Sequence, residues 1–381
     1  MRFPGFTDEW KTFSLGEKVI IKSGISPQCL CCDGNLPYYK VEQLNHCEKE
    51  LGETPYYGQT SANNIIPKGS IIFPKRGAAI MTNKVRVNAS ECILDTNLMA
   101  LIPDSTLYNH FLFYYVLNRE LGKIADTSTI PQINNVHINP LKIAIPIQFE
   151  EQRKIGNFLS LLDERIATQN KIIDNLQSLI KGLAKIHYDS SPTLRSVKIQ
   201  ELGEPYTVMN FSKEQLSDTG VPCILYGELF TQYGPVIEDV ISKTNVTSNL
   251  TLSRGRDLLF PSSTTVDALS LIAPSALTKP NIILGGDMFG IEVSDEYSPE
   301  YLSLYFNYIG RRDVAKYAIG STIIHLHYKD IAKHSIQIPS ISEQKAFVKL
   351  AYSVKIKIDV EKSILHNLTE IKAYLVQNLF I

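Results

Sequence analysis

The sequence predicts an α+β protein: two tandem α/β globules joined by two long helices that pair as an antiparallel coiled coil, with pseudo-two-fold symmetry. Three observations predict it. Two long stretches place their apolar residues on a seven-residue grid. The same short motifs precede both stretches. The segments ahead of them run through short strands and one aromatic helix in the same order. The expected boundaries are 1–148 for the first globule, 149–190 for the central helix, 191–340 for the second globule and 341–381 for the C-terminal helix.

The first stretch, Glu150 to His187, has no Pro, and its two glycines, Gly156 and Gly182, lie near its ends. One apolar row is Ile155, Leu162, Leu176 and Leu183. A second is Phe158, Ile172, Leu179 and Ile186, and a third is Ile166, Ile173 and Ile180. Such rows form one stripe of a helix and read as a coiled-coil seam, with Arg165 and Gln169 as polar breaks that set register. A helix of this length, roughly 55 Å at 1.5 Å per residue, needs a partner helix. Glu343 to Ile381 supplies one, with Phe347, Val354, Leu368 and Leu375 in one row and Ala351, Ile358, Leu365 and Leu379 in the next; Glu361 is its polar break. IAIPIQFEEQ (Ile143 to Gln152) announces the first helix and IQIPSISEQ (Ile336 to Gln344) the second. STI stands upstream at Ser128 to Ile130 and again at Ser321 to Ile323, and Pro146 and Pro339 follow at equal distance. This is an internal duplication with a period of about 190 residues.

In the first globule, Lys11 to Gly24 reads as strand, turn, strand, with Gly16 and Gly24 as punctuation. KGSIIFPKRGAAIM (Lys68 to Met81) is a buried strand ending at Pro74, then a basic loop with Lys75 and Arg76. Val85 to Pro103 reads as two short strands, and Leu107 to Leu121 as an aromatic helix. The tyrosines around Tyr38 and Tyr56 read as core. The second globule repeats the order. RGRDLLFPSST (Arg254 to Thr264) stands where KGSIIFPKRG stood, but Ser262 and Ser263 replace Lys75 and Arg76. Gly24 to Gln59 shares nothing with Val208 to Ile241, so the flanks agree and the interiors diverge.

Composition sets the class. With 381 residues, 44% hydrophobic and 20% charged, the chain is long enough for two or three packed domains. Lys plus Arg number 38 against 39 Asp plus Glu, so bulk charge gives no support to nucleic-acid binding; a local basic face is still compatible with that total. MRFPGFTDEWK has no apolar run and no stretch approaches a membrane span, so the expected location is cytoplasmic. Cys29 and Cys32 form a CxxC followed by His46 and Cys47, without a convincing fourth zinc ligand; reduced cysteines are the expectation.

Catalytic parts are missing. The sequence holds no GxxxxGK[ST] loop, no HExxH and no strand-to-helix GxGxxG. Asn139-Pro140-Leu141 lacks the second Pro and the aromatic residue of an amino-methyltransferase motif. His325 and His327 share one face of a strand, where a surface or hydrogen-bonded pair is the simpler reading than a metal site.

TSTIPQINNVHINPLKIAIPIQFEEQRKIGNFLSLLDERI, followed by the heptad helix, closely resembles the conserved region of type I restriction-modification specificity subunits. GSTIIHLHYKDIAKHSIQIPSISEQKAFVKL repeats it, so the resemblance covers nearly the whole chain. The second copy departs in having Ile324 after STI, and Ile341-Ser342 in place of Phe149-Glu150-Glu151. The resemblance implies two DNA target-recognition domains in a noncatalytic subunit that reads a split, asymmetric site in double-stranded DNA. It implies two methyltransferase subunits acting on adenine and, with restriction subunits, an ATP-dependent endonuclease. The chain itself then needs no cofactor; S-adenosylmethionine, ATP and Mg belong to the partners. The helices are expected to set the separation of the half-sites.

Candidate DNA contacts are Lys75, Arg76, Lys84 and Arg86 in the first copy and Arg254, Arg256, Ser262 and Ser263 in the second. The helix-pair seam is expected at Ile155, Phe158, Leu162, Ile172, Leu176, Leu179, Leu183, Val354, Ile358, Leu365, Leu368 and Leu375. The competing reading is a helical scaffold that tethers two protein partners and never reads DNA. The target bases are not legible in one sequence.

Overall fold

The computed structural model describes residues 2–29, 31–47, 49–127, 129–209 and 211–380, without the side chains of 29 and 31–33; the CxxC of Cys29 and Cys32 therefore lies outside the described residues. Cys47, Cys92 and Cys223 are free thiols. The chain divides into two compact units, residues 1–170 with 363–381, and residues 171–362. By packing, each unit holds one globule and a length of both long helices.

Those helices are Phe149–Ser190, of 42 residues, and Ile341–Leu379, of 39. Glu150 and Glu151 in the first turn of one, and Glu343 in the first turn of the other, complement the positive end of the helix dipole. Pro192 follows the first helix and cannot extend it.

In the first unit, Lys11–Ser14 pairs antiparallel with Lys142–Ile145, which leads into the long helix. A five-stranded sheet runs in the order Val19–Ser23, Leu98–Pro103, Ile71–Pro74, Arg86–Asn88, Glu50–Leu51, antiparallel except for its last pair. A smaller sheet holds Tyr57–Gln59, Cys31–Tyr39 and Ile93–Leu94. Ile71 and Phe73 from the central strand share one core with Phe111 and Tyr114 of the helix Asn109–Arg119 and with Ile155, Leu159, Leu375 and Leu379 of the long helices.

The strands expected around Gly16 do form, but they do not pair with each other, because buried Leu15 turns the chain between them. Val85 to Pro103 holds three strands, not two. Asp95 accepts the Asn97 backbone N–H at 2.9 Å, an Asx turn that separates Ile93–Leu94 from Leu98–Pro103. Tyr38 and Tyr39 are buried, whereas Tyr57 is exposed on its short strand.

The second unit repeats this frame. Arg195–Lys198 pairs with Ser335–Ile338. Its main sheet runs Gly203–Thr207, Met288–Val293, Asp257–Pro261, Ser275–Leu277, Val236–Ile237, again with only the last pair parallel. The helix Pro299–Tyr308 is capped by Ser298, whose hydroxyl accepts the Tyr301 N–H. The second sheet differs in size, with five strands where the first unit has three, but its strands Lys243–Thr244, Val221–Leu225 and Pro280–Gly285 repeat the antiparallel and parallel pairings of Tyr57–Gln59, Cys31–Tyr39 and Ile93–Leu94. The divergent stretches of sequence supply its middle strand in each unit, Cys31–Tyr39 and Val221–Leu225.

The recurring Glu-Gln has a mechanical meaning. Gln152 is buried; its oxygen accepts the Tyr108 N–H at 2.8 Å, and its amide donates to Thr106 O at 2.9 Å and Pro146 O at 3.1 Å. Gln344 is buried likewise, accepting the Ser298 N–H at 2.9 Å and donating to Pro339 O at 2.9 Å. Each glutamine joins three things: the start of the short helix, the end of the two-stranded ladder, and the long helix itself.

Opposite ends of the helices meet in each unit. In the first, Asp163 pairs with Lys372 at 2.5 Å and accepts from the Tyr114 hydroxyl at 2.5 Å, while Phe380 packs 5.0 Å from Phe111. In the second, the His187 ring lies 4.7 Å from Phe347. The pair is therefore antiparallel. Ile155 and Leu375 in the first unit and Ile358 in the second are buried; Phe158, Leu162, Ile172, Leu176, Leu183, Val354, Leu365 and Leu368 are half-buried. Leu179 is a correction: it is 45% exposed. The buried stripe there runs through Ile173, Ile180 and Ala184, and the row of Ile172 and Leu179 sits one residue, about 100° of helix, to its side.

Replacing Gln152 or Gln344 with Ala strands a buried backbone N–H at a helix start. Each change should lower stability by about 1–3 kcal/mol, against a change within about 0.5 kcal/mol for exposed Gln177→Ala. Urea unfolding of the purified protein measures this, and equal shifts for all three would refute the junction role.

Candidate nucleic-acid interface

The central strand of each main sheet is fully buried and ends in Phe-Pro, at Phe73-Pro74 and Phe260-Pro261. The loop that follows is pinned in the same way in both units. In the first, the Lys75 N–H donates to Asn97 O at 2.8 Å and Lys75 O accepts the Ile133 N–H at 2.9 Å. In the second, the Ser262 N–H donates to Asp287 O at 2.8 Å and Ser262 O accepts the Leu326 N–H at 2.9 Å. The next residue forms a β-bridge in each: Arg76 with Gln132, and Ser263 with His325. The partner segments are those just after the two STI motifs, so the repeated motif and the loop after the central strand form one composite feature in each unit. Gly77 fixes the end of the first loop, with its N–H bonded to Pro131 O at 2.8 Å and φ at +84°.

On this common backbone the side chains differ. In the first unit Lys75 is half-buried and Arg76 exposed, and neither is in an ion pair among the described residues. Burial, and then the charge of Arg76, hold the Lys75 ammonium below its usual range, with Asp95 acting the other way. Two cations are thus held side by side on a fixed loop, an arrangement that a polyanion relieves. In the second unit Ser262 and Ser263 are buried, and Thr264, Thr265, His325 and His327 carry the accessible polar groups. The two imidazole rings stack 6.1 Å apart, with His325 Nδ1 4.0 Å from Asp287. Among the described residues no group of three His, Cys, Asp or Glu is placed to hold a metal ion.

The other candidate contacts lie elsewhere. Arg86 is buried and donates to Val85 O and Leu44 O, both at 2.7 Å, so its charge serves the fold rather than a ligand. Lys84 bonds the Asn45 amide oxygen. Arg254 pairs with Glu292 at 2.8 Å and lies 4.4 Å over the Tyr206 ring. Arg256 donates to Val293 O, Ser294 O and Tyr297 O and sits 3.4 Å from Asp295. Of the eight residues, the structure joins Lys75 with Arg76 and Ser262 with Ser263 at equivalent places. Gln132, His325 and His327 belong to the same feature. The STI repeat marked their segment, but which strand end it meets is a non-local pairing.

The Gly77 loop is open to a direct test. No atom lies within 4 Å of a Cβ added at Gly77 or at Gly182 in the long helix, so backbone conformation alone separates them. Gly77→Ala should cost about 1–3 kcal/mol, because φ +84° with ψ −174° suits glycine. Gly182→Ala should gain up to about 1 kcal/mol. Thermal unfolding measures both, and shifts of one sign would refute the assignment.

Residues 7–178 match the family model described as the type I restriction modification DNA specificity domain. The chain is 21% identical to the putative type I restriction enzyme MjaX specificity subunit of Methanocaldococcus jannaschii, over 93% of this chain and 89% of that protein. It is 22% identical to the MjaVIII specificity subunit of the same organism, over 93% and 88%. Among solved structures, the type I restriction-modification S subunit of M. genitalium has a TM-score of 0.58 at 16% identity, covering 100% of this chain and 97% of that one. A chain from a structural study of type I restriction-modification complex assembly and conformational transition has a TM-score of 0.61 at 13% identity, covering 98% and 97%. These structures show the shared fold. The family model thus falls on the first unit's globule and most of the central helix, and the relatives that the chain resembles across both units are type I restriction enzyme specificity subunits.

Proposed function

We propose that this chain reads a split, asymmetric site in double-stranded DNA, one half with each unit, and presents that site to two methyltransferase subunits and, with them, restriction subunits. Specificity subunits are noncatalytic. On this reading S-adenosylmethionine serves adenine methylation, and ATP and Mg serve cleavage, all on partner subunits in the cytoplasm. Among the described residues no helix is long and apolar enough to cross a membrane.

The observation that carries the reading is the composite loop: one backbone arrangement, built twice, with different side chains on it. A duplicated frame lets two sequences be approached in one geometry, while the side chains set which base edges are favoured. The near-neutral total charge fits a subunit whose partners share the phosphate contacts.

The test uses the complex assembled with methyltransferase subunits. Selection from random DNA should recover a two-part motif, and exchanging residues 194–338 for the matching segment of a relative should change one part and keep the other. A complex that selects no sequence supports the scaffold reading. A folded, active hybrid with both parts altered would sink the one-unit, one-half assignment.

A further inference from the structure

Resting on that reading, we infer that Arg76 is a specificity-determining residue that reads a guanine in the half-site faced by the first unit, and that the equivalent position of the second unit reads no guanine. Arg76 is exposed, without an ion-pair partner among the described residues, on a backbone held from both sides. Lys75 O accepts from Ile133 N–H, Arg76 itself bridges Gln132, and Gly77 N–H donates to Pro131 O. A fixed backbone under a planar guanidinium suits a contact that demands orientation, and the two N–H donors of that group match the O6 and N7 acceptors of guanine in the major groove.

The duplication decides between a base and a phosphate. The sugar-phosphate backbone is chemically the same in both half-sites. A position that grips phosphate is therefore expected to keep its chemistry in two copies of one frame. Position 76 does not keep it. On the same backbone, with the equivalent carbonyl bonded to the equivalent N–H, the second unit places Ser263, which is buried. Its bridge partner changes as well, from Gln132 to His325. A site that changes charge, reach and neighbour while the scaffold stays constant behaves as a reader of what differs between the half-sites, namely the bases. Arg254 and Arg256 do not substitute for it, since both are engaged within the second unit.

The experiment compares the wild-type chain, Arg76→Ala and Arg76→Gln, each assembled with methyltransferase subunits, by mapping methylated adenines and by titrating binding to matched and mismatched DNA over a range of salt. In Arg76→Ala, one G·C position in one half of the motif should become degenerate while the other half stays intact. Affinity for the matched site should fall about 5- to 150-fold, the range one bidentate base contact commands, with little change on unrelated DNA. Arg76→Gln keeps the exposed position polar and should move the preference from guanine towards adenine, which a Gln amide matches. An unchanged motif overturns the inference, as does equal weakening on all sequences with a salt slope reduced by about one, the signature of a phosphate contact. Degeneracy in both halves overturns it too. If the wild-type complex itself selects no sequence, the DNA-reading function fails; if it selects one that both variants preserve, only the role of Arg76 fails.

Discussion

The structure depends on a buried glutamine at the start of each long helix. Gln152 and Gln344 each sit where a two-stranded ladder ends, a short helix begins and a long helix sets out. A buried amide has two donors and two acceptor sites to satisfy, and an unmet one is expensive. Its partners are backbone groups, so the geometry holds whatever side chains surround it. This is why the junction recurs in both units while the sequences around it drift. Glu151 and Glu343 reinforce it from the neighbouring position, the first through Arg2 at 2.7 Å, the second through Ser191 and Ser340. Different donors reach the two carboxylates, yet in both cases the chain that precedes the globule is tied to the long helix.

From that junction the packing follows. A helix of about forty residues has too much apolar stripe to leave uncovered, and each globule closes over one part of it. Ile155, Leu159, Leu375 and Leu379 lie in the same core as Phe73 and Phe111, and Ala184, Phe347 and Ala351 in the same core as Phe260 and Phe306. The main sheets keep one strand order because they carry this load. The second sheets do not touch it: their cores are separate clusters around Tyr39 and Leu44 in one unit and around Ile224 and Leu284 in the other. Freed from the helices, they diverged in strand number. The composite loop lies between these regimes, with a backbone set by the central strand that both units repeat and side chains that differ between them.

Electrostatics follows the same division. Most basic groups near the frame are committed to internal partners, as Arg86 is to two carbonyls and Arg254 to Glu292. Lys75 and Arg76 stand apart as adjacent cations with no ion pair among the described residues.

Periodicity, motif repetition and composition are local properties, and the sequence by itself determined what depends on them: two long helices, a duplicated α+β frame, and a resemblance to type I restriction-modification specificity subunits through its STI and Glu-Gln motifs. The expected seam positions picked out by the seven-residue grid are, Leu179 apart, buried or half-buried. Leu179 fell on the wrong side because a 3.6-residue helix drifts against a 3.5-residue grid, and which neighbouring row is covered depends on the partner surface. Candidate contacts were legible only as residue types. Lys75 and Arg86 look alike in sequence, yet one lies on a pinned surface loop and the other caps carbonyls inside the core. That Gln132 and His325 join the loops after Phe73-Pro74 and Phe260-Pro261 was decided only by tertiary structure. These pairings span about sixty residues of chain, and such non-local contacts are selected by how sheets and helices close on one another, which local sequence does not encode.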